Sequence, residues 1–343
     1  MTAPVLTMPA PRTTPLRGGP ALRWGVVAPG GIAADFVHAL HAHTDQRVIA
    51  VASRSVDRAR SFARRHGIAR VHDDYAGLYG DEQVQIVYIA APHSEHRRLA
   101  IDAIAAGKHV LIEKPIGLSA DEAREVAAAA GAAGVFAMEA MWTRFLPQTD
   151  VMLHLLEDGI IGDPRLLLAD LGFAADPADG GRLFDPALGG GALLDLGVYL
   201  VWLSHLWLGT PTAVTAVGTL TDSGVDQQSA LVLDYASGAQ ALLSTSIRVT
   251  SPGAASISGS DGSVQIDPSF VFPGGFFAQR GGARGRFVDE SGLGHREGMA
   301  WQAVSVAEHI DDGLLESPLH PLRTSIEVVT IIDEARRQLS RTR

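Results

Sequence analysis

A lysine ends the apolar run His109-Val110-Leu111-Ile112, inside the tripeptide Glu113-Lys114-Pro115. An ammonium group is costly at the end of a buried strand unless it is used. Open α/β sheets hold their ligands at the carboxyl edge of the strands, and Lys114 falls there. Further along, Gly189-Gly190-Gly191 precedes Asp195 and Tyr199. These two stand four apart on a helical pattern and so share one face. The glycines let that helix start close against another backbone. A phenol, a carboxylate and a lysine make a proton relay. The ammonium favours the phenolate, the carboxylate orients the lysine or the substrate, and the phenol oxygen exchanges the proton.

Other candidates flank this set. The strand-like run Gln85–Ala91 leads into Pro92-His93-Ser94-Glu95-His96. Ala91, Pro92 and His93 fall where residues lining a bound ring would sit, with His93 the better contact. His96 joins that set by position, although one turn on it also reads as a helix-surface or structural residue. The two histidines have no third ligand in view, so no metal is expected. His38, His41 and His43 read as a solvated helix face. Trp142 and Arg144, in Met138–Phe145, lie where the chain crosses between domains. They are candidates to wall a substrate cleft, with interface packing an equal reading for Trp142.

Ala28-Pro29-Gly30-Gly31-Ile32-Ala33 joins the first strand-like run to the first helical one. Such a turn bends tightly and lets a pyrophosphate approach the backbone, while the helix N-terminus supplies N–H donors. Ala28 stands where the usual fingerprint has glycine, so the signal is degraded. Ala28, Gly30, Gly31 and Ile32 are the phosphate candidates. The next strand ends Val51-Ala52-Ser53-Arg54-Ser55, with no acid. An acid here would accept from the ribose hydroxyl of NAD and repel a 2′-phosphate; Ser53 and Arg54 would hold one. NADP is therefore the expected cofactor and NAD the alternative. Glu113 and Lys114 complete the cofactor-lining set, and the whole points to a nicotinamide oxidoreductase.

These residues need a frame. From Ala21 to about Ala140, short apolar runs alternate with helical stretches, which implies βαβ units and a parallel sheet. After Met141, strand-like runs follow one another with turns between them: Thr212–Leu220, Ser229–Tyr235, Ala239–Arg248, Ala255–Ser258 and Ser263–Ile266. That pattern favours an antiparallel or mixed sheet. The expected fold is α/β: an N-terminal Rossmann domain, then an α+β domain with an open-faced, mostly antiparallel sheet. The expected boundaries are a disordered tail over 1–20, a dinucleotide domain over 21–140 and a substrate and oligomer domain over 141–343. The C-terminal helix is able to pack back on the first domain.

Composition narrows the classes. The chain has 343 residues, 46% of them apolar, and a formal net charge of −10, which argues against a nucleic-acid partner. It has no cysteine, which removes disulfides and thiolate chemistry and is compatible with the cytoplasm, the expected location. No uninterrupted apolar run reaches the ~18–20 residues that span a bilayer, so no membrane partner is expected.

With these segments in order, the chain resembles the Gfo/Idh/MocA oxidoreductase family. The likeness rests on the degraded glycine turn, Ala91–His96, Ala106-Gly107-Lys108-His109 running into Glu113-Lys114-Pro115, Gly189–Tyr199 and Leu315-Glu316-Ser317-Pro318. Glu139–Phe145 and a tyrosine at 199 resemble its dihydrodiol dehydrogenase and sugar 1-dehydrogenase branch. The resemblance implies bound NADP, Lys114 and Tyr199 as catalytic residues, Asp195 as their carboxylate and Arg54 at the 2′-phosphate. It also raises the expectation of a cis Lys114–Pro115 bond. Tyr199, with Asp195, Trp142 and Arg144, would face the substrate.

The expected reaction moves a hydride between nicotinamide and a secondary alcohol of a sugar, anhydrosugar or cyclic diol, in a homodimer or homotetramer built through the C-terminal sheet. An aldose 1-dehydrogenase or keto-sugar reductase is the nearest alternative. A non-catalytic NAD(P)-binding regulator is the alternative of another class, and the intact Lys114, Asp195 and Tyr199 argue against it.

Overall fold

A computed structural model of the chain describes residues 4–176 and 181–341. The first half alternates strand and helix: β1 (Arg23–Val27), α1 (Gly31–His43), β2 (Arg47–Ala52), α2 (Val56–His66), β3 (Arg70–His72), α3 (Tyr75–Tyr79), β4 (Ile86–Ile89), α4 (His96–Ala105), β5 (His109–Ile112), α5 (Ala120–Ala133) and β6 (Ala137–Glu139). Then come α6 (Pro147–Glu157), β7 (Pro164–Gly172), α7 (Val198–Leu208), β8 (Ala213–Leu220), β9 (Asp226–Asp234), β10 (Gln240–Ser246), β11 (Ala255–Gly259), β12 (Gly262–Ile266), β13 (Gly275–Arg280), β14 (Ala283–Val288), α8 (Met299–Asp311) and α9 (Leu322–Arg341).

Two compact units result. One comprises Thr14–Phe145 and His295–Ile326; the other comprises Met1–Thr13, Leu146–Gly294 and Glu327–Arg343. The expected contiguous boundaries differ from this division, because 295–326 clusters with the first half.

The first unit is built on a six-stranded sheet of order β3-β2-β1-β4-β5-β6. All its pairings are parallel. β4 is buried along its length and β5 is buried from Val110 on, which is why their sequences run apolar without alternation. The helices have readable ends. Ser55 caps α2 and Ser119 caps α5, each accepting a backbone N–H through its side chain, and Gly67 and Gly134 end them in the left-handed region.

The second unit carries an eight-stranded sheet of order β14-β13-β12-β11-β7-β10-β9-β8. Only β7 and β10 pair in parallel; the rest is antiparallel. β9 and β10 alternate buried and exposed residues, the pattern of a sheet with one covered face. α7 packs on the β7 and β10 side. On the other face, Leu168, Leu242 and Val232 stand side by side across β7, β10 and β9, and all three are exposed.

Several expectations need correction. Residues 4–20, read as a disordered tail, are tied down. Leu6 N–H and Arg284 N–H exchange hydrogen bonds with Arg284 O and Pro4 O at 2.9 and 3.1 Å. Thr14 Oγ1 donates to Glu308 at 2.6 Å, and Arg17 to Ala42 O at 2.8 Å; residues 1–3 lie outside the described part. Pro186–Leu208 does meet the length and apolarity of a span, at mean hydropathy 1.5, but 89% of its window is buried inside the fold, as in a core helix.

Candidate active site

The phosphate turn is strained in the way its sequence suggests. Ala28 takes φ 58°, the left-handed region that glycine occupies without cost. Its N–H bonds Ala52 O at 3.1 Å, tying the turn to the end of β2. Gly30 caps α1 with extended backbone, and α1 has no side-chain cap and no acid in its first turn. A Cβ on Gly30 or Gly31 would meet nothing within 4 Å. No neighbour crowds the start of α1 at these glycines and no carboxylate stands in its first turn, which suits a pyrophosphate. At the end of β2, Ser53 is buried and Arg54 exposed. These residues fit a dinucleotide.

The ends of β4 and β5 are laced together. His96 is fully buried rather than on a helix surface; its Nδ1 lies 2.7 Å from Pro115 O and its Nε2 2.8 Å from Ala91 O. A carbonyl oxygen only accepts, so both are hydrogen bonds when both ring nitrogens carry protons. His93, also buried, packs edge-on to His96. The Lys114–Pro115 bond is cis, as the resemblance suggested. Glu113 is buried and its carboxylate accepts from Tyr88 Oη and from Lys114 N–H. Burial pushes its pKa up, against the hydrogen bond from Tyr88 and the charge of Lys114.

Beyond Pro115, Ile116 N–H donates to Glu139 Oε1 at 2.8 Å. Glu139 Oε2 pairs with His320 Nε2 at 3.0 Å, with both side chains almost wholly buried, and Ser325 Oγ lies 3.2 Å from the same ring nitrogen. Burial pushes the Glu139 pKa up, but the bonds from His320, Ser325 and Ile116 N–H outweigh it and leave the carboxyl below its ordinary range. Trp142 and Arg144 sit in a buried turn after β6, and Arg144 Nε donates to Leu319 O at 3.0 Å. All these residues belong to the first unit.

Asp195 and Tyr199 belong to the second. Leu193–Gly197 is a π-helical turn that runs into α7. A π turn carries an extra residue, so Asp195 and Tyr199 fall short of the full turn apart that a regular helix would give. The glycines before them are packed against neighbours. A Cβ on Gly190 would come 2.5 Å from Leu183 O, and one on Gly191 2.1 Å from Asp226 Oδ1. Asp226 Oδ2 accepts from Leu193 N–H at 2.7 Å, and burial pushes its pKa up to about 6. Asp195 is buried and takes a hydrogen bond from Arg182 Nη2 at 2.8 Å. Tyr199 is buried.

Comparison with known proteins decides the family. A family model described as "Oxidoreductase family, NAD-binding Rossmann fold" matches residues 22–141, and one described as "GFO/IDH/MocA C-terminal domain" matches 151–265. The Mus musculus trans-1,2-dihydrobenzene-1,2-diol dehydrogenase is 36% identical over 94% of this chain and 98% of its own. The chain belongs to the Gfo/Idh/MocA oxidoreductase family. It is an enzyme of that family, with a nicotinamide cofactor, which sets the regulator alternative aside. The family fold recurs in a crystal structure of aldose-aldose oxidoreductase from Caulobacter crescentus complexed with glycerol, at TM-score 0.84 and 26% identity over 94% of this chain and 98% of that one. It recurs again in KijD10, a 3-ketoreductase from Actinomadura kijaniata in complex with NADP and TDP-benzene, at TM-score 0.80 and 27% identity over 93% and 98%.

Sequence reading missed four partners of these residues: Glu139, His320, Arg182 and Asp226. Glu139 ends an apolar strand much as Lys114 does, which was a usable signal. His320 follows directly on the family segment Leu315–Pro318. Arg182 and Asp226 lie in turn-rich stretches where charged residues carry no local signal.

Proposed function

We propose that the chain is an NADP-dependent dehydrogenase or reductase acting on a secondary alcohol, or the matching carbonyl, of a sugar, anhydrosugar or cyclic diol. The observation that carries the substrate class is the likeness, along 94% of the chain, to enzymes named for a cyclic diol. The preference for NADP rests on exposed Arg54 after buried Ser53, where no acid stands. Ala28, Gly30, Gly31 and Ile32 would hold the pyrophosphate, and Ala91, Pro92, His93, Glu113 and Lys114 would border the nicotinamide.

A bound nicotinamide supplies the hydride acceptor. Tyr199, as phenolate, takes the proton of the substrate hydroxyl at Oη and returns it in the reverse direction. Lys114 Nζ offsets the negative charge that gathers on that oxygen. Asp195 orients the pair; in this structure it is held by Arg182. Trp142 and Arg144 are the proposed substrate-facing residues. An aldose oxidoreductase is the second reading, favoured by the 26% identity with the Caulobacter enzyme.

The test is a screen of NAD and NADP against trans-dihydrodiols, aldoses, anhydrosugars and inositols, followed by the absorbance of the reduced nicotinamide. Turnover with NADP and a diol or sugar supports the proposal. Activity confined to NAD, or to substrates without a hydroxyl-bearing ring, contradicts it. The exposed Leu168-Leu242-Val232 row on the open sheet suits a second copy of the chain, giving a homodimer or homotetramer. Sedimentation of the wild type against Leu242→Lys tests this; an unchanged monomer in both would refute it.

A further inference from the structure

We propose that His38, His43 and Glu297 form a binding site for a divalent cation of the zinc class. This goes beyond the redox reading, which uses none of the three. His38 and His43 lie on α1, and Glu297 lies in the short turn His295–Gly298 that packs on it. Glu297 Oε1 is 3.1 Å from His43 Nε2 and 3.7 Å from His38 Nε2. One donor atom from each of the three residues falls within 4.8 Å of the others.

Metal–ligand distances of about 2.0–2.1 Å in a tetrahedral site put neighbouring donors about 3.3 Å apart. Two of the three separations already bracket that value. The third, between the two imidazoles, is within 4.8 Å, and the His38 side chain, 65% exposed, has room to turn. Two imidazoles and one carboxylate are a zinc-type donor set that leaves a fourth position for water. The nitrogens favour Zn²⁺, Ni²⁺ or Cu²⁺ over Mg²⁺ and Ca²⁺, which prefer oxygen.

The frame is preset. Asp35, one turn before His38, pairs with Arg296 at 2.6 Å and fixes the turn that carries Glu297. Without an ion, a single carboxylate oxygen lies close to both ring nitrogens. With one, a carboxylate and two neutral imidazoles each supply a lone pair. His38 and His43 stand about 10 and 18 Å along α1 from Gly31 at the phosphate turn. The ion would therefore act as a cross-link between α1 and the segment 295–298, not as a participant in the redox step. Binding to the folded state alone raises stability by mass action.

The experiment uses the full chain without a histidine tag, stripped with EDTA and titrated with ZnCl₂ by calorimetry and by competition with a chromophoric chelator. The expected result is one equivalent bound, a rise in Tm that EDTA reverses, and no response to MgCl₂. His38→Ala, at an exposed position that leaves the fold intact, should weaken binding about tenfold or more, as should His43→Ala and Glu297→Gln. No stoichiometric uptake would overturn the proposal and reduce the trio to ion pairs. Uptake undiminished in His38→Ala and His43→Ala would overturn it as well.

Discussion

Ile116 N–H lies 2.8 Å from Glu139 Oε1, so a buried carboxylate at the end of β6 holds the chain just beyond Lys114-Pro115. The other carboxylate oxygen is taken by His320. Removing the charge leaves a buried histidine facing an amide, and unmet partners of charged groups cost more than the bonds themselves gained. Glu139→Gln should lower stability by about 1–3 kcal/mol, read as a shifted urea midpoint with unchanged slope. An unchanged midpoint would show that this pair does not anchor the loop.

Asp226 gives a pH prediction. Its carboxyl is pushed from the ordinary 3.8 to about 6 by burial, so the folded chain holds that proton more tightly than the unfolded one. Its contribution is most favourable below the unfolded pKa, is lost as pH rises through the folded value and is flat above it. Asp226→Asn keeps an oxygen for Leu193 N–H and removes the charge. Its stability relative to wild type should rise by about 2 kcal/mol between about pH 4 and pH 8, measured by denaturation at each pH. A constant difference would mean the carboxyl does not titrate there.

Arg54→Ala should weaken NADP binding by about 10–100-fold, the scale of a lost bond to a charged group, and leave NAD nearly unchanged. Titration of each cofactor by fluorescence reads both affinities. Equal loss for the two would show that Arg54 does not read the 2′-phosphate.

Ala28 holds φ 58° without glycine's freedom. Ala28→Gly should stabilise the chain by about 0.5–1 kcal/mol after the added flexibility of the unfolded state is counted. A Tm that falls would show that the turn is not strained.

Fold class was legible because strand and helix periods separate cleanly in the first half. β5 and Lys114, the turn at Ala28–Gly31 and the end of β2 can all be placed from local pattern alone. The short β3 and α3 were not seen, since three to five residues carry little periodicity. β13 and β14 were hidden by the glycines of Gly281-Gly282 and Gly285, which lower strand propensity. Among the proposed site residues, Lys114, Asp195 and Tyr199 stood out by type and spacing. The π turn through Asp195 did not, because its start at Leu193 is bonded to Asp226 on a strand distant in sequence. The Arg182–Asp195 bond was unreadable for the same reason: it joins two segments that share no local pattern.

The central claim is that Tyr199 carries the proton of hydride transfer. Tyr199→Phe keeps the ring and removes the hydroxyl, so kcat of the wild-type reaction against that of the variant, with cofactor affinity measured in parallel, tests it most directly. The account predicts a fall in kcat of ~10²–10⁴-fold with NADP binding intact, and a Lys114→Met, Tyr199→Phe double variant that loses less than the product of the single losses. Near-normal turnover in Tyr199→Phe would contradict it and move the proton to His93.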